Sequence, residues 1–579
     1  MFPIKNDVQP FFCVQHFSLN INCSICTTTF RNYTQINENT NTTFRPRIVT
    51  FENGSFVTVW IDDYLGQYVI TGKYNKSLSD SEYLKTEVQQ ISETYNQSTT
   101  PYFYQLFDIA TISKNPENEF VVVFADENKK KIYLKIYQID QENGNIQNTT
   151  DKIFVNTFQS VALTKIRISN IGNNEDDVIA ITWEEYTNDA FSHLYVKLFS
   201  LNPDPKINST MYLISDQLQR EIQFPTSSIA KLGEKYFSVS WVDIGSTINL
   251  QLFNFSMDRD GESCINNVSK ILKIDPEGSQ SNNADSSEES TPIIVPAMAN
   301  MGFGKEYENE DTLLLIWAYD KSIHALKYVL NETEQDHLSN SFSQKILQDV
   351  NVEASLPDVT WCGKDLFAVS FETCVDGDEC KMEHDEVQKY MRAMVFSIMG
   401  DQINTKGDYI PYLEDNFYPF NKYSKIVDIG NNEIEVVYQA IADDKSYLHS
   451  QQIEVLTFEL NNPISSPILF SHQDFNIDIP DDLFKISGGY NYQLSTNHSK
   501  LPDWFLSDLP ENKFYGNVLY SKNTFTVEID ATVDICPITE QSQFDVKIIE
   551  YNYIDIKESG GHFFNPTIYL LLLITLFLL

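Results

Sequence analysis

One five-residue segment recurs seven times along the chain, and this repeat limits the possible folds more than any other feature. Its first, third and fifth positions are apolar in nearly every copy, Thr58 being the exception, and the fifth position is always aromatic. Alternation of this kind is typical of strands whose two faces have different neighbours. The seven copies are Phe56–Trp60, Phe120–Phe124, Ile179–Trp183, Phe237–Trp241, Leu313–Trp317, Phe367–Phe371 and Ile434–Tyr438.

The residues around each copy predict a group of antiparallel strands. A short strand precedes each copy across a turn that usually carries Gly or Asn, and a third strand closing on an aromatic residue follows it. A fourth, weaker strand follows several copies. With a mean spacing of about 63 residues and no helices in between, these groups predict an all-β fold, a seven-bladed β-propeller over residues 31–462. A parallel β-helix is the alternative, but its repeats are much shorter than about 50 residues.

The two ends of the repeat array predict how the ring closes. After Phe458 the last copy lacks a fourth strand, whereas Tyr33–Asn37 lies before the first copy and resembles the fourth-strand segments. We predict that this early segment completes the last blade, because a closed ring leaves no open sheet edge.

The repeats resemble those of large surface proteins that are common in ciliates and bacteria. Pro46–Trp60 reads P-R-I-V-T-F-E-N-G-S-F-V-T-V-W, and the signature of those repeats is a Gly turn followed by F-V-V-V-W. The resemblance covers roughly residues 31–462 and implies no single activity. The kelch and WD40 signatures and the sialidase Asp-box are not evident.

Residues 463–553 predict a second, smaller domain. Six or seven short strands in about 90 residues favour a β-sandwich of the cadherin or immunoglobulin type. The order L-P-x-W-F at Leu501–Phe505, F-x-G at Phe514–Gly516 and F-T-V-x-I-x-A at Phe525–Ala531 is similar to the dystroglycan-type cadherin-like domain. That resemblance implies cell-surface adhesion and sometimes calcium binding.

Calcium is the one cofactor for which the sequence offers candidates. Asp530 and Asp534 are the carboxylates that could bind the ion, although exposed turn carboxylates are the interpretation that their pattern favours. Asp258–Gly261 resembles part of a calcium loop, but Asn267 stands where the bidentate Glu is required. We otherwise expect no cofactor.

The C-terminal residues 554–579 predict a linker and a membrane anchor. Ile568–Leu579 is apolar, but as a helix it would reach only about 18 Å of the ~30 Å hydrocarbon core. Small residues followed by a polar stretch precede it, in the order of a GPI-attachment signal. We predict attachment at Ser559 or Gly560, with a retained transmembrane helix as the alternative.

The N-terminal segment 1–30 shows no clear signal peptide. Its apolar run Phe11–Val14 is interrupted at once by Gln15 and His16, whereas a secretory signal needs 7–15 apolar residues. Since the tail predicts the secretory route, our hypothesis is that the start of the chain is misassigned or that an upstream exon is missing.

The composition excludes two classes of protein. Lys and Arg number 41 against 81 Asp and Glu, so the formal net charge of −40 would repel nucleic acid. A hydrophobic fraction of 42%, with 31 Tyr and 38 Phe, is too high for a disordered acidic chain. We therefore expect a folded protein with no nucleic-acid partner.

Sequons and cysteines agree with an extracellular location. The even count of eight Cys suits disulfides, and Cys362, Cys374 and Cys380 predict a local staple. Cys23 and Cys26 form a lone C-x-x-C, for which a disulfide or inert thiols are favoured over a metal. The predicted glycosylation sites are Asn32, Asn41, Asn53, Asn75, Asn96, Asn148, Asn208, Asn254, Asn267, Asn331 and Asn497.

Catalytic motifs are absent from the sequence, which contains no HExxH, GxSxG or P-loop. His193 and His324 fall within third strands, where a structural role is commoner than ligand binding. We therefore expect a non-enzyme, a membrane-anchored cell-surface glycoprotein for adhesion or recognition that binds protein or carbohydrate through its propeller loops. The alternatives are an extracellular carbohydrate-active enzyme using the propeller channel and a coat protein without a specific ligand.

Overall fold

A computed structural model describes residues 24–29, 34–36, 42–51, 53–64, 67–75, 87–92, 95–96, 107–112, 118–126, 131–157, 163–172, 177–186, 192–201, 211–218, 227–243, 246–257, 263–276, 294–300, 312–319, 322–331, 338–348, 355–363, 366–374, 389–399, 402–409, 420–430, 433–442, 445–486, 492–497, 500–519, 524–533 and 536–549. The chain folds as two compact units. The first comprises Ser24–Thr457 with Ser487–Gly489, and the second is built from Phe458–Ile486 and the residues from Tyr490 onward.

The first unit consists of β-strands alone within the described residues. Its strands are β1 Ser24–Thr29, β2 Thr34–Gln35, β3 Thr42–Thr50, β4 Phe56–Tyr64, β5 Gln67–Asn75, β6 Gln89–Gln90, β7 Tyr95–Asn96, β8 Phe107–Thr111, β9 Glu119–Ala125, β10 Lys131–Ile139, β11 Ile146–Asn148, β12 Ile153–Thr157, β13 Leu163–Asn170, β14 Val178–Tyr186, β15 Ser192–Ser200, β16 Tyr212–Leu218, β17 Ser227–Leu232, β18 Tyr236–Val242, β19 Ile248–Met257, β20 Ser263–Asn267, β21 Leu272–Ile274, β22 Ala297–Asn300, β23 Thr312–Tyr319, β24 Ser322–Leu330, β25 Leu338–Gln348, β26 Ser355–Trp361, β27 Leu366–Cys374, β28 Lys389–Met399, β29 Gln402–Tyr409, β30 Phe420–Gly430, β31 Glu433–Ala442 and β32 Lys445–Leu460.

Each copy of the repeat forms the second strand of an antiparallel sheet. The first five copies give five separate sheets, with the strand preceding each copy on one side and the third strand on the other. The strands of the last two copies are joined into one ten-stranded sheet, through a single parallel residue pair between Lys389 and Phe420. The prediction of an all-β propeller is confirmed, and we number its blades one to seven after the copies of the repeat.

The strand that precedes each copy is the innermost strand of its blade. These inner strands are β3, β8, β13, β17, β22, β26 and β30. Each of them contacts the inner strand of the next blade, and β30 contacts β3. The inner strands therefore follow one another around a closed ring.

Aromatic side chains at fixed rungs hold the strands of a blade together. In the second, fourth and sixth copies the first residue is Phe and stacks on the aromatic residue that closes the third strand, as Phe237 does on Phe253 with ring centroids 5.2 Å apart. The fifth residue stacks on the third strand at its other end, as Trp183 does on Tyr195 at 5.7 Å. Trp60, Trp183 and Trp317 are fully buried, so the repeat is the core of the blades.

The predicted closure of the ring is present in the structure. β2 pairs with the third strand of blade seven, Thr34 opposite Ser450 and Gln35 opposite His449. The backbone N–H of Ile36 continues the ladder to the carbonyl of Leu448 at 2.8 Å. The segment from before the first blade thus lies outside the last blade and removes its open edge.

The second unit has two sheets over a shared core. One sheet has the order β33-β40-β39-β36 and the other β34-β38-β37, while β35 pairs with the end of β32. Val527 and Phe544 of the first sheet pack in one cluster with Phe505 and Phe514 of the second. Its elements are β33 Ile468–Phe470, β34 Asp474–Asp478, β35 Phe484–Ile486, β36 Tyr492–Thr496, β37 Phe505–Asp508, a 3₁₀ helix at Leu509–Glu511, β38 Lys513–Asn517, β39 Thr524–Val533 and β40 Cys536–Ile549.

The predicted staple between cysteines is wrong for Cys362. This thiol is free and buried, and burial raises its pKa well above the ordinary value. It follows the last residue of β26, and its Sγ lies 3.9 Å from the carbonyl oxygen of Thr360. Cys264 is free and exposed.

In the part of the chain that the structure describes, no helix is long and apolar enough to cross a membrane.

Candidate functional site

Seven residues of the first unit occupy equivalent positions around the ring, one from each inner strand. Each of them pairs with the fourth residue of its repeat copy, so all seven lie on the same rung. They are Arg47, Asp108, Arg167, Ser228, Ala297, Asp358 and Lys425, in blade order. All seven line one cavity of about 220 Å³. We call them the ring residues.

The charges of the ring residues are distributed unevenly. Five consecutive blades, from six through seven to three, contribute Asp358, Lys425, Arg47, Asp108 and Arg167, with alternating signs except between Lys425 and Arg47. Blades four and five contribute the uncharged ring residues, beside which apolar side chains line the cavity. These apolar neighbours include Ile229, Val295 and Met298. The cavity therefore has a charged arc and an uncharged arc.

Asp108 is shared by two guanidinium groups in the charged arc. Its Oδ1 lies 2.9 Å from Nε of Arg47, and its Oδ2 lies 3.8 Å from a terminal nitrogen of Arg167. The backbone N–H of Ile168 donates to the same Oδ2 at 3.2 Å. One carboxylate thus faces two cations from the two neighbouring blades.

Asp358 makes a one-to-one pair on the other side of the arc. Nζ of Lys425 lies 2.7 Å from its Oδ1, and the backbone N–H of Ile426 donates to its Oδ2 at 3.0 Å. As with Asp108, the carboxylate of one blade holds the inner strand of the next blade through the backbone. The charged ring residues therefore also fix the spacing of the blades.

A second tier lies two residues before the ring residues, where Arg45 and Tyr423 face each other. The guanidinium of Arg45 lies 4.5 Å from the centroid of the Tyr423 ring. The backbone N–H of Tyr423 donates to Oε1 of Glu372 at 2.7 Å, from the second strand of blade six. Arg45 and Glu372 are buried and Tyr423 is half-buried.

The backbone at this tier is strained. Arg45 has φ 49° and Tyr423 has φ 56°, both in the left-handed region that residues with a side chain seldom adopt. Each sits in an irregularity of the ladder between the inner and second strands, which re-aims the residues around it. Strain of this kind concentrates at functional sites, because other contacts must compensate for it.

Burial governs the electrostatics of the cations. The pKa of Arg167 is lowered to about 10, mainly by burial and then by the charge of Arg47, against the effect of Asp108. Burial is also the main cause that lowers the pKa of Lys425, to which Arg47 and Arg167 add while Asp358 opposes it. The pKa of Arg45 is lowered by burial as well, with a further contribution from Arg47. The charges of these groups therefore act against one another.

A buried ion pair lies close to the charged arc, between β13, which carries Arg167, and β14. Nζ of Lys165 lies 3.0 Å from Oε2 of Glu184, and both side chains are almost fully buried. Oγ of Ser227, in the next blade, lies 3.4 Å from the other oxygen of this carboxylate. Because Glu184 neutralises Lys165 locally, this pair adds no net charge to the cavity.

Among the metal and lipid-attachment residues predicted from sequence, the described part of the chain contains Asp530 alone. Asp530 lies on β39 in the second unit, where its Oδ1 accepts a hydrogen bond from Gln541 at 2.8 Å. Asp534, Ser559 and Gly560 lie outside the described residues, as does Asp258–Gly261. No cluster of three or more potential metal ligands occurs among the residues that the structure covers.

The two histidines have the structural role that was expected. Nδ1 of His193 lies 3.1 Å from the hydroxyl of Tyr195. His324 is buried and stacks on Trp317 with ring centroids 5.4 Å apart. Neither histidine lines the cavity.

The predicted glycosylation sites differ in exposure. Asn53, Asn148, Asn267 and Asn497 are exposed, whereas the side-chain nitrogen of Asn75 is buried. Asn254 and Asn331 are partly buried, and Asn96 lies on β7. Asn32, Asn41 and Asn208 lie outside the described residues.

The ring residues were missed at the level of sequence, although a signal for them exists. Each is followed by an apolar residue, as in Arg47-Ile48, Asp108-Ile109 and Lys425-Ile426. Aligning the seven inner strands on this pair would have placed charged residues from five of them at one position. The prediction used the inner strands only as partners for hairpins.

No family model and no curated protein sequence matches this chain. Solved structures with a similar fold include the α-L-arabinofuranosidase Arb93A of Fusarium graminearum, with 9% identity over 64% of this chain and 98% of that chain and a TM-score of 0.33. The NanB sialidase of Streptococcus pneumoniae is 12% identical over 74% of this chain and 70% of that chain, with a TM-score of 0.36. AofleA of Arthrobotrys oligospora is 7% identical over 66% and 90%, with a TM-score of 0.34.

The expectation of a non-enzyme is corrected by these comparisons. The arabinofuranosidase and the sialidase are both enzymes. Similarity at this level assigns neither a substrate nor a catalytic residue to this chain.

Proposed function

We propose that the protein is a carbohydrate-active enzyme. Its substrate binds in the cavity lined by the ring residues, here called the ring cavity, and a glycosidic bond of the substrate is cleaved there. One observation carries the proposal: the cavity receives a ring residue from every blade, and in five consecutive blades Arg and Lys donors are interspersed with Asp acceptors. A sugar presents hydroxyl groups that both donate and accept, so it matches Arg and Lys donors interspersed with Asp acceptors. The uncharged arc would then face the C–H groups of the sugar ring.

The size of the cavity supports a small ligand. Its volume of about 220 Å³ is below the ~300–1,000 Å³ of sites for drug-sized molecules. A single sugar unit therefore suits the cavity better than several units in a row. The remainder of a saccharide chain would extend out of the ring.

Three side chains at the cavity could take part in the cleavage. Glycoside hydrolysis ordinarily needs an acid or base and a group that stabilises or attacks the sugar carbon, and Tyr serves as nucleophile in some families. Asp108, Asp358 and Tyr423 line the cavity. We assign Tyr423 the attacking role, because Arg45 lies over its ring and Glu372 holds its backbone in a strained position. As its oxygen bonds to the anomeric carbon and the glycosidic C–O bond breaks, the phenolic proton would pass through the carboxylate of Asp108 or Asp358 to the leaving oxygen. Water would then hydrolyse the glycosyl–tyrosine bond and return the proton to Tyr423.

The location of the protein is part of the same proposal. An extracellular, membrane-attached enzyme agrees with exposed sequons such as Asn148 and Asn497 and with the apolar tail Ile568–Leu579. The substrate would then be a glycan outside the cell. Release of surface-labelled protein by phospholipase tests the predicted attachment, and protein that stays with the membrane after this treatment contradicts a GPI anchor.

The experiment that tests the proposed function is a hydrolysis assay on a panel of aryl glycosides. We expect turnover of at least one glycoside, and a loss of about 10²–10⁴-fold in kcat/KM for Tyr423→Phe, because the hydroxyl is removed while the ring under Arg45 stays. Lys231→Met is the matched control, since Lys231 lies on inner strand β17, binds the carbonyl of Gly172 and does not line the cavity. Absence of turnover, or turnover that Tyr423→Phe leaves unchanged, contradicts the proposal.

A further inference from the structure

We propose that the ligand of the ring cavity is an acidic saccharide, whose carboxylate or sulfate group binds to Arg167 in the charged arc. This inference rests on the proposed function for the word saccharide, but its evidence is the charge of the cavity. It names the chemical class of the substrate and the residue that selects it.

The cavity is basic although the chain is strongly acidic. Four cations line it, Arg45, Arg47, Arg167 and Lys425, against the two carboxylates Asp108 and Asp358. The whole chain has a formal net charge of −40. A cluster of cations is not expected by chance in a chain of this composition, yet it occurs where all seven inner strands meet. Such a cluster would attract an incoming anion.

The pairing within the arc shows which cation is left with unbalanced charge. Lys425 has its own carboxylate at 2.7 Å, and Arg45 faces Tyr423 with Glu372 behind it. Arg47 lies closer to Asp108 than Arg167 does, at 2.9 Å against 3.8 Å. Arg167 therefore shares a carboxylate that is already engaged.

The surroundings of Arg167 make an anionic partner favourable. Its side chain is only 16% exposed, so most of the hydration of the charge is already lost in the folded protein. Burial, the largest effect, and the charge of Arg47 act against its protonated form, while Asp108, Asp358 and Glu184 only partly oppose them, since its pKa is lowered to about 10. A carboxylate or sulfate that enters the cavity would offset both effects, and a guanidinium binds either group through two parallel hydrogen bonds.

The uncharged arc fixes how such a ligand would lie. In a ring of seven, blade three stands beside blade four, so Arg167 lies at the end of the charged arc next to Ser228. Across the cavity it faces blades six and seven, with Asp358 and Lys425. A ligand whose acidic group adjoins hydroxyl or C–H groups fits this division. A small dianion with charge on both sides does not fit it.

The test uses the full chain and an array of immobilised glycans. The array carries glycans that end in glucuronic or neuraminic acid, sulfated glycans, and neutral counterparts that lack the acidic group. We expect the wild type to bind acidic glycans only, and Arg167→Met to lose at least about tenfold in affinity, since the charge-assisted hydrogen bonds to the guanidinium are removed. Lys231→Met should bind like the wild type, and Arg167→Lys should bind less well than the wild type but better than Arg167→Met.

The outcomes separate this inference from the proposed function. Equal binding of neutral and acidic glycans, binding of acidic glycans that Arg167→Met leaves unchanged, or no binding to any acidic glycan overturns the inference. Turnover of neutral glycosides alone overturns it as well, while the proposed function stands. Binding of acidic glycans that depends on Arg167 without turnover of any glycoside supports the inference and contradicts the proposed function. Whether carboxylated or sulfated glycans bind identifies the source of the acidic group.

Discussion

The second strands and the inner strands of the propeller use the same sevenfold frame for different purposes. At the fifth position of the second strand, every blade places a large aromatic residue, and most of these are fully buried. At the ring position of the inner strand, the seven blades place Arg, Asp, Arg, Ser, Ala, Asp and Lys. Uniform residues thus build the blades, while unlike residues at one rung give the cavity its two arcs. In this repeat fold we therefore expect the functional residues at equivalent positions where the blades differ.

The largest loss of stability is expected at the fifth position of a repeat copy, which is aromatic in every blade. Trp183→Ala removes a fully buried indole that stacks on Tyr195, and such truncations cost about 3–5 kcal/mol of the free energy of unfolding. Urea unfolding of the first unit, followed by tryptophan fluorescence, measures this. A loss below about 1 kcal/mol would show that the fifth position is not what holds the blades together.

The shared carboxylate of the charged arc is expected to come next. Asp108→Asn leaves Arg47 and Arg167 without their common anion, and breaking a buried pair in this way costs about 3–5 kcal/mol before relaxation. Because Asn keeps the hydrogen bond to Ile168, we expect a value near the lower end in the same unfolding experiment. Arg167→Met is the matched variant, which should leave stability unchanged or raise it, since repulsion with Arg47 is removed. If both variants lose equal stability, Arg167 is as well paired as Asp108. The arc then carries no unbalanced positive charge, which contradicts the proposed role of Arg167.

A charge within a second strand gives a pH dependence of stability. Glu435, at the second position of its copy, is buried, and burial raises its pKa to about 8 from an ordinary value near 4.5. Since the folded pKa is raised, this group's contribution is fully present below about pH 4.5 and is lost as the pH rises towards 8. The pKa of buried His449 is lowered to about 4, so its contribution is lost only below about pH 6.5.

These two directions leave a window above pH 6.5 in which Glu435 titrates and His449 does not. Between pH 6.5 and 8 we expect the free energy of unfolding to fall by up to about 1.4 kcal/mol per pH unit. Glu435→Gln should abolish the fall, because an amide does not ionise. Unfolding curves at half-unit pH steps measure this, and a slope that Glu435→Gln leaves unchanged contradicts the assignment.

The smallest effect is expected in the uncharged arc. Ser228→Ala removes a hydroxyl that faces the cavity from blade four, and surface-like changes of this kind stay within about 0.5 kcal/mol of stability. Binding of acidic glycans should stay within a few-fold of the wild type. A loss as large as that of Arg167→Met would mean that the two arcs do not divide the ligand as proposed.

The fold was largely predictable because its information is local and repeated. The alternation in Phe237–Trp241 and its six counterparts predicts the second strands, and the hairpin turns predict the strands beside them. Closure by Tyr33–Asn37 could be predicted from counting strands, since a ring with one strand missing at its end needs a strand from its beginning. The prediction of a disulfide at Cys362 is wrong, because it rested on cysteine spacing alone. Spacing cannot distinguish a loop from a buried strand end.

The site was not predicted because it depends on register between distant strands. Arg47, Asp108 and Arg167 are about 60 residues apart in sequence, and only the pairing of each inner strand with its repeat copy places them on one rung. The positive φ of Arg45 and Tyr423 arises from irregular pairing, which neither residue type signals. Both residues therefore look like ordinary polar residues of a half-buried strand.

The central claim is that the seven ring residues form one ligand site. A crystal structure of the protein with the acidic glycan that binds best on the array tests this claim most directly. The account predicts the saccharide in the ring cavity, with its acidic group on Arg167 and its uncharged side towards Ser228 and Ala297. A saccharide bound elsewhere on the propeller, with the cavity filled by water alone, would contradict it.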